Sequence, residues 1–173
     1  MLVFYLIGIN TVDLMALTEI RQGRIEYRRA KTHRLYSIKV EPEAQAIIDK
    51  HKGTEHLLDF ADRYADHGDF RRRMNAALKK IGPMEWVENS SRINPKKNKK
   101  QYHSLFPNIT SYWARHTWAT IAASLDIPKE TIAAALGHGG NTVTDIYIDF
   151  DQRKVDEANR KVIDFLNQDI DEK

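Results

Sequence analysis

Cysteine is absent from this sequence, and its absence removes several kinds of chemistry at once. Disulfide scaffolds, thiolate zinc sites and thiol nucleophiles are all excluded. A long apolar run is also missing, because the opening stretch "MLVFYLIGI" is too short to span a bilayer. That stretch has no basic residues before it and no small-residue cleavage site after it, as a secretory signal would need. We therefore expect a protein of the reducing cell interior without a membrane segment.

An apolar opening with no polar residues in front of it is typical of a helix interior, so we expect the chain to be part of a longer protein. The 173 residues, 42% hydrophobic and 29% charged, suffice for one ordinary domain with its own core.

The net charge of +3 is small, but the basic residues are distributed unevenly along the sequence. Three basic clusters in one small domain favour a polyanion such as DNA as partner. They are "RRAKTHR" (Arg28 to Arg34), "RRR" (Arg71 to Arg73) and "PKKNKK" (Pro95 to Lys100). For "RRR" alone we prefer an ordinary solvated face.

The first forty residues predict a short helix and a β-hairpin. Asn10 and Asp13 in "NTVDLMALT" resemble a capping box, which indicates that a helix follows. "RIEYRR" and "LYSIKV" alternate apolar and polar residues, as two strands of a hairpin would, with Ala30 to Arg34 at the tip.

The remaining sequence predicts mainly helices. Helical spacing of apolar residues recurs in "EPEAQAIIDKH", from Phe70 to Ile81, and in "TSYWARHTWATIAASL", for which Thr110 or Ser111 is the expected N-cap. It continues in "IPKETIAAALG", in "NTVTDIY" and from Gln152 to Leu166. Residues 84 to 106 lack this period and are predicted to be mostly loop with one edge strand. The expected fold class is α+β, mainly helical, with one small sheet near the N-terminus.

Four positions could support chemistry: Lys31 at the hairpin tip, Arg115 with His116, His138 and Tyr147. Each has an ordinary structural explanation when taken singly. Lys31 suits a polar turn, Arg115 a structural ion pair, and His116 and Tyr147 half-buried packing positions. Their order and spacing favour a common site.

"ARHTWAT" followed by "ALGHGGNTVTDIY" resembles the tyrosine recombinase family, the phage-integrase-like enzymes that cut and rejoin DNA. The signature is an Arg-His pair on a helix, then Leu-Gly-His, then a tyrosine about nine residues later. "GINTVDLMALTEI" and the hairpin with Lys31 resemble other parts of the same catalytic domain, so the resemblance covers residues 1–173. The pattern is closest to integrases of Bacteroides-type conjugative elements. From the resemblance we expect the family's N-terminal DNA-clamping (core-binding) domain to lie outside this chain.

The resemblance implies a role for each of these residues. Tyr147 would attack a DNA phosphodiester and form a 3′-phosphotyrosine, which keeps the bond energy and requires no cofactor. Arg115 and His138 would stabilise the charge that grows on the phosphate, and Lys31 would protonate the departing 5′-oxygen. No metal is implied, since the spacing of the histidines is not that of a zinc site. His116 points about 100° away from Arg115 on a helix, which favours a structural hydrogen bond for it.

Two positions depart from the family pattern. Asn10 stands where the family's first motif has an arginine, and the loss of one such donor would weaken phosphate activation by about 2 to 4 kcal/mol. Arg21, Arg28 and Arg29 are candidate replacements that the sequence does not rank. Tyr112 stands three residues before Arg115, where histidine or lysine is usual. It either donates to the phosphate from the face it shares with Arg115 or packs in the core.

We therefore expect a site-specific recombinase that acts on double-stranded DNA in the bacterial cytoplasm, associated with the nucleoid and encoded by a mobile element. A tetramer is expected in the synaptic complex, and a monomer for the isolated domain. Phosphate contacts are expected from basic residues of the hairpin and of "PKKNKK": Arg28, Arg29, Arg34, Lys96, Lys97, Lys99 and Lys100. The alternative is a DNA-binding remnant that holds recombination sites without cleaving them.

Overall fold

The structure, a computed structural model, describes residues 1–89, 98–137 and 152–171. These residues form an α+β fold with eight helices and two small antiparallel sheets, which confirms the predicted fold class in outline. The helices are α1 (Leu2–Tyr5), α2 (Thr11–Met15), α3 (Pro42–Lys50), α4 (Asp59–Arg63), α5 (His67–Leu78), α6 (Trp113–Ser124), α7 (Lys129–Leu136) and α8 (Gln152–Asp171). The strands are β1 (Arg24–Arg28), β2 (Leu35–Lys39), β3 (Met84–Val87) and β4 (Lys99–Tyr102).

The chain divides into two compact units. The first comprises Met1–His67 and Tyr112–Lys173, and the second comprises Gly68–Ser111. None of the described helices combines the length and the apolar composition needed to cross a lipid bilayer.

The core of the first unit lies where α6 packs against α1, α7 and α8. Trp118 and Ala122 of α6 and Val162 and Ile163 of α8 are fully buried, at 0% exposure. Burial of side chains the size of Val or Ile stabilises the fold by roughly 1.5–3 kcal/mol each. The long α8 has the apolar stripe that its sequence predicts, because its buried residues recur at helical spacing.

A buried polar contact ties three of these helices together. Asn159 of α8, 1% exposed, accepts a hydrogen bond from Trp118 Nε1 at 2.8 Å. Its amide nitrogen donates to the carbonyl oxygen of Tyr5 in α1 at 3.1 Å. A polar side chain is tolerated in this core because both ends of its amide group find partners.

The β1–β2 hairpin is present as predicted. Ile25 pairs with Ile38 and both are buried, while Tyr27 pairs with Tyr36 and their rings stack with centroids 5.3 Å apart. The tip is Ala30 to Arg34, closed by a hydrogen bond from the Arg29 amide to the Arg34 carbonyl at 2.9 Å.

The N-cap of α2 is Asn10 as predicted, although without the expected capping bond, and the N-cap of α6 differs from the prediction. Asn10 lies at the N-cap of α2, but its side chain makes no capping hydrogen bond and donates to Asp13 Oδ2 at 3.4 Å. The N-cap of α6 is Tyr112, in place of Thr110 or Ser111, and it provides no side-chain cap. Helix α7 ends as predicted, because Gly137 adopts the left-handed conformation (φ 65°) at its C-cap. The helix predicted in "NTVTDIY" lies outside the described residues.

The second unit contains most of α5 and the β3–β4 hairpin, and none of its described residues is buried. Trp86 of β3 is 60% exposed, and Lys100 Nζ lies 5.2 Å from the centre of its ring. The prediction of a single edge strand in this segment was wrong, since two strands, β3 and β4, pair with each other. Strand β4, "KKQY", has only exposed side chains, so it lacks the alternation that identifies a strand from sequence.

Candidate functional site

Arg115 is buried in the first unit, where it joins two segments distant in sequence. It lies on α6 with 6% of its surface exposed. Its Nη1 donates to the carbonyl oxygen of Gly8 at 3.2 Å, and its Nη2 donates to the carbonyl oxygen of Leu136. Leu136 is the last residue of α7, so the guanidinium lies at the helix end that precedes Gly137 and His138.

Gly8 permits this arrangement because it has no side chain. A Cβ atom on Gly8 would lie 2.6 Å from the Cα atom and 2.7 Å from the Cγ atom of Arg115, closer than such contacts occur in proteins. Gly8 also has a positive φ of 67°, which other residues adopt at a cost. The "Gly-Ile-Asn" segment therefore fits against α6 through its backbone.

Arg29 reaches the same carbonyl from the hairpin. Its Nη1 donates to the Leu136 oxygen at 3.5 Å, while its Nε is buried and has no hydrogen-bond partner among the described residues. No described carboxylate forms an ion pair with Arg29 or Arg115. Burial lowers the pKa of Arg115, and the charge of Arg29 lowers that pKa further. Two guanidinium groups thus meet at one carbonyl oxygen, and neither is paired with a carboxylate of the described residues.

Two stacked tyrosines lie beside the arginines. The hydroxyl of Tyr36 is buried, has no partner among the described residues and abuts Gly137, where a side chain would clash with it. Burial raises the pKa of Tyr27, and the carboxylate of Asp13 raises it further, so this phenol is neutral at physiological pH. The arginines and tyrosines together present hydrogen-bond donors and positive charge, which suits an anionic ligand.

Asp13 links the first motif to the hairpin. It is 3% exposed, and its Oδ1 accepts a hydrogen bond from the backbone amide of Ala30 at 2.9 Å. Lys31 follows directly and is exposed at the tip. The acidic residue of the first motif therefore anchors the base of the turn that presents the predicted general acid.

Tyr112 is at the surface, with 47% of its area exposed, so the alternative of a core aromatic is wrong. Its ring meets the ring of His116 edge to face, with centroids 4.8 Å apart. His116 is exposed and makes no ring hydrogen bond to a described residue, in contrast to the structural hydrogen bond expected for it. His138 and Tyr147 lie outside the described residues, and their assignment stays a prediction.

The predicted DNA-contacting residues fall into two groups. Arg28 and Arg34 are exposed on the hairpin, where Arg28 donates to the His33 carbonyl at 3.3 Å, whereas Arg29 is only partly exposed. Lys99 and Lys100 are exposed on β4 of the second unit. Lys96 and Lys97 lie outside the described residues. Within the ranges that the structure describes, no group of three or more histidine and carboxylate residues is placed to hold a metal ion.

Comparisons of this chain with protein families, with curated proteins and with solved structures find no match.

Proposed function

We propose that this chain is the catalytic domain of a tyrosine-type site-specific DNA recombinase. In this proposal Tyr147 is the nucleophile, and Arg115, His138, Lys31 and Tyr112 surround the scissile phosphate of double-stranded DNA. The chain would act in the cytoplasm on the recombination sites of a mobile element, within a tetramer of recombinase copies at synapsis.

The observation that carries the proposal is the hydrogen bond from Arg115 to Leu136. Arg115 of "ARHTWAT" and Leu136 of "ALGHGG" are 21 residues apart in sequence, yet this bond joins the two motifs at the residue two before His138. Residues that act on the same phosphate must lie close together in the fold. The contact between Arg115 and Leu136 brings segments of both motifs together. The buried guanidinium is also preorganised, so it need not reorient when charge develops.

The reaction that these residues support conserves the number of phosphodiester bonds. The Tyr147 hydroxyl gives its proton to solvent water and its oxygen attacks the phosphorus, while the bond from phosphorus to the 5′-oxygen breaks. Lys31 donates a proton to that leaving oxygen, and the 3′-phosphate stays on the tyrosine. A 5′-hydroxyl of the partner strand then reverses the step. Arg115 and His138 donate hydrogen bonds to the non-bridging oxygens throughout.

The test is covalent trapping on a nicked suicide substrate, from which the cleaved fragment diffuses away. The full-length protein should form a covalent adduct with DNA, and Tyr147→Phe should form none. Tyr102→Phe, which changes an exposed tyrosine of β4, is the matched control and should form the adduct at the rate of the unmodified protein. Absence of an adduct while the DNA is bound would contradict the proposal.

A second candidate function is supported by Asn10. Its uncharged side chain turns towards Asp13 and adds no positive charge at the position of the expected arginine. A remnant that binds recombination sites without cleaving them would show salt-dependent DNA binding and no adduct in the same assay.

A further inference from the structure

One side of the β3–β4 hairpin exposes aromatic and apolar side chains of a kind that usually pack against a core. The register pairs Met84 with Tyr102 and Trp86 with Lys100. Residues two apart on a strand share a face, so these four residues lie together, and we call this side of the hairpin the aromatic face. Trp86 is 60% exposed, Met84 42% and Tyr102 38%. Single exposed apolar residues are ordinary, whereas several of them on one face indicate a binding surface.

A lysine lies over each of the two rings. Lys100 Nζ is 5.2 Å from the ring centre of Trp86, and Lys80 Nζ, just after α5, is 5.4 Å from that of Tyr102. The whole unit Gly68–Ser111 is rich in positive charge. It contains ten Lys and Arg and three Asp and Glu, a net charge of +7, whereas the entire chain has +3. An apolar protein partner would match the rings alone, whereas nucleic acid matches both the rings and the charge.

The two rings can stack only on bases that are unpaired. In a duplex the flat faces of the bases are covered by their neighbours, and a protein reaches the base edges in the grooves. Trp86 and Tyr102 occupy diagonal positions on the paired strands, which places such side chains about 7 to 8 Å apart. The rise between stacked bases of a duplex strand is only about 3.4 Å, so two bases that lie on these rings must be separated from each other.

We propose that the aromatic face binds single-stranded DNA, with one base stacked on Trp86, the next on Tyr102 and the phosphate between them at Lys100. Lys100 lies opposite Trp86 and two residues before Tyr102, so it is adjacent to both rings. A lysine–ring contact at an exposed site is weaker than the stacking of a base, so an incoming base displaces Lys100 from Trp86. The displaced ammonium then pairs with the phosphate. This binding uses none of the residues that surround the scissile phosphate in the proposed recombinase.

The distribution of polar side chains favours DNA over RNA. A protein distinguishes RNA through its 2′-hydroxyl, which both donates and accepts hydrogen bonds. The carboxylate and amide that would bind such a group, Glu85 and Gln101, are cross-strand partners on the opposite face of the hairpin. There Glu85 Oε1 lies 2.7 Å from His103 Nε2. The choice of DNA also rests on the proposed recombinase function, whereas the stacking of unpaired bases does not depend on it.

The experiment measures Kd for the full-length protein by fluorescence anisotropy with three labelled probes: an oligothymidine, the matching oligouridine and a DNA duplex of the same length. The variants are Trp86→Leu and Trp86→Phe. Both keep an apolar side chain, but only phenylalanine keeps a ring on which a base can stack. Trp113→Leu is the matched control, because it removes a tryptophan of the first unit that is 46% exposed.

We expect Trp86→Leu to raise the Kd for oligothymidine by roughly 5-fold to 150-fold, the range that corresponds to the loss of one base–aromatic stack. Trp86→Phe should recover most of that loss, and Trp113→Leu should keep the original Kd. Tyr102→Leu should weaken binding as Trp86→Leu does, whereas Tyr102→Phe should not. The Kd for the duplex, which is bound through its phosphates, should be the same in all variants, which also shows that the second unit stays folded.

Equal losses in Trp86→Leu and Trp86→Phe, or no loss in either, would overturn the stacking role. Equal losses on oligothymidine and duplex would overturn the preference for unpaired bases, and tighter binding of oligouridine would overturn the assignment to DNA. If the unmodified protein does not bind oligothymidine at all, the proposal fails and an apolar protein partner becomes the explanation of the face. The recombinase proposal is decided separately by the covalent trapping assay, because none of these measurements requires cleavage.

Discussion

Arg160 on α8 gathers three carboxylates of the first unit around one guanidinium. It donates to Glu43 at 2.8 and 2.9 Å, to Glu41 at 3.2 Å and to Asp164 at 2.9 Å. Glu43 also accepts from Asn167 at 2.8 Å. The hydrogen bonds from Arg160 lower the pKa of Glu43 to about 2. This cluster joins the start of α3 to α8 and makes part of the stability dependent on pH.

We predict that Glu43→Gln destabilises the protein at pH 7 by about 1 to 2 kcal/mol, less than the depressed pKa alone implies, because solvent screens this partly exposed ion pair. A carboxyl whose pKa is lower in the folded state stabilises the fold above its unfolded pKa, near 4.5, and loses that effect as the pH falls towards 2. Urea midpoints measured at pH 7, 5, 4 and 3 should therefore show a difference from the unmodified protein that narrows below pH 4.5. Glu157→Gln, an exposed change on the same helix, should show no such difference. A gap that stays constant down to pH 3 would contradict the ion-pair explanation.

Strand alternation accounts for the different burial of Arg28 and Arg29, although it assigns neither of them a function. Residues two apart on a strand share a face, so Arg29 lies on the side of Tyr27, whereas Arg28 lies on the other. The structure follows this rule, with Arg28 exposed and Arg29 partly buried. The shared carbonyl of Leu136, more than a hundred residues later, has no counterpart in the local pattern and could not be predicted from it.

At the scale of elements, the predictions that were confirmed depend on a repeating apolar pattern. The β1–β2 hairpin, α3 and α8 each have such a pattern, and α7 has its glycine stop. The predictions that were wrong concern features that this pattern does not determine. Strand β4 is polar throughout, and the start of α6 is set by the packing of Arg115 and Trp118, not by a capping side chain.

The close packing of the α1–α2 connection against α6 gives a prediction about glycine substitutions. We expect Gly8→Ala to lower the free energy of unfolding in two ways. The positive φ strains the alanine backbone by about 1 kcal/mol, and the overlap of its Cβ with Arg115 costs about 1 to 3 kcal/mol more. Gly23→Ala is the matched control, because Gly23 has a similar φ of 73° and no atom within 4 Å of an added Cβ. Denaturant unfolding should place Gly8→Ala well below Gly23→Ala in stability. Equal losses would show that the α1–α2 connection can move away from α6.

At the scale of the whole molecule, the two units differ in how many side chains they bury. The first has a continuous core, whereas the described part of the second buries no residue and presents exposed lysines beside exposed aromatic rings. A surface of this composition suits contact with a charged polymer, in agreement with the predicted roles of Lys99 and Lys100.

Salt dependence tests that assignment. If both lysines contact phosphates, replacement of Lys99 and Lys100 by alanine should reduce the slope of log Kd against log salt concentration by about 2, measured by fluorescence anisotropy with duplex DNA. The double change Arg71→Ala with Arg72→Ala removes two exposed charges from the same unit. It should leave the slope unaltered, because we interpret that cluster as a solvated face. If the arginine change lowers the slope and the lysine change does not, the two assignments are reversed.

The three tryptophans differ in exposure, so their intrinsic fluorescence can report on different parts of the protein. Trp118 is fully buried, Trp113 is 46% exposed and Trp86, in the second unit, is 60% exposed. Indole emission shifts to longer wavelength in water, and acrylamide quenches exposed indoles first. Variants that retain a single tryptophan would thus separate the melting of the core from events at the β3–β4 hairpin. Shielding of Trp86 from the quencher on addition of DNA would reveal contact at that hairpin without any attached label.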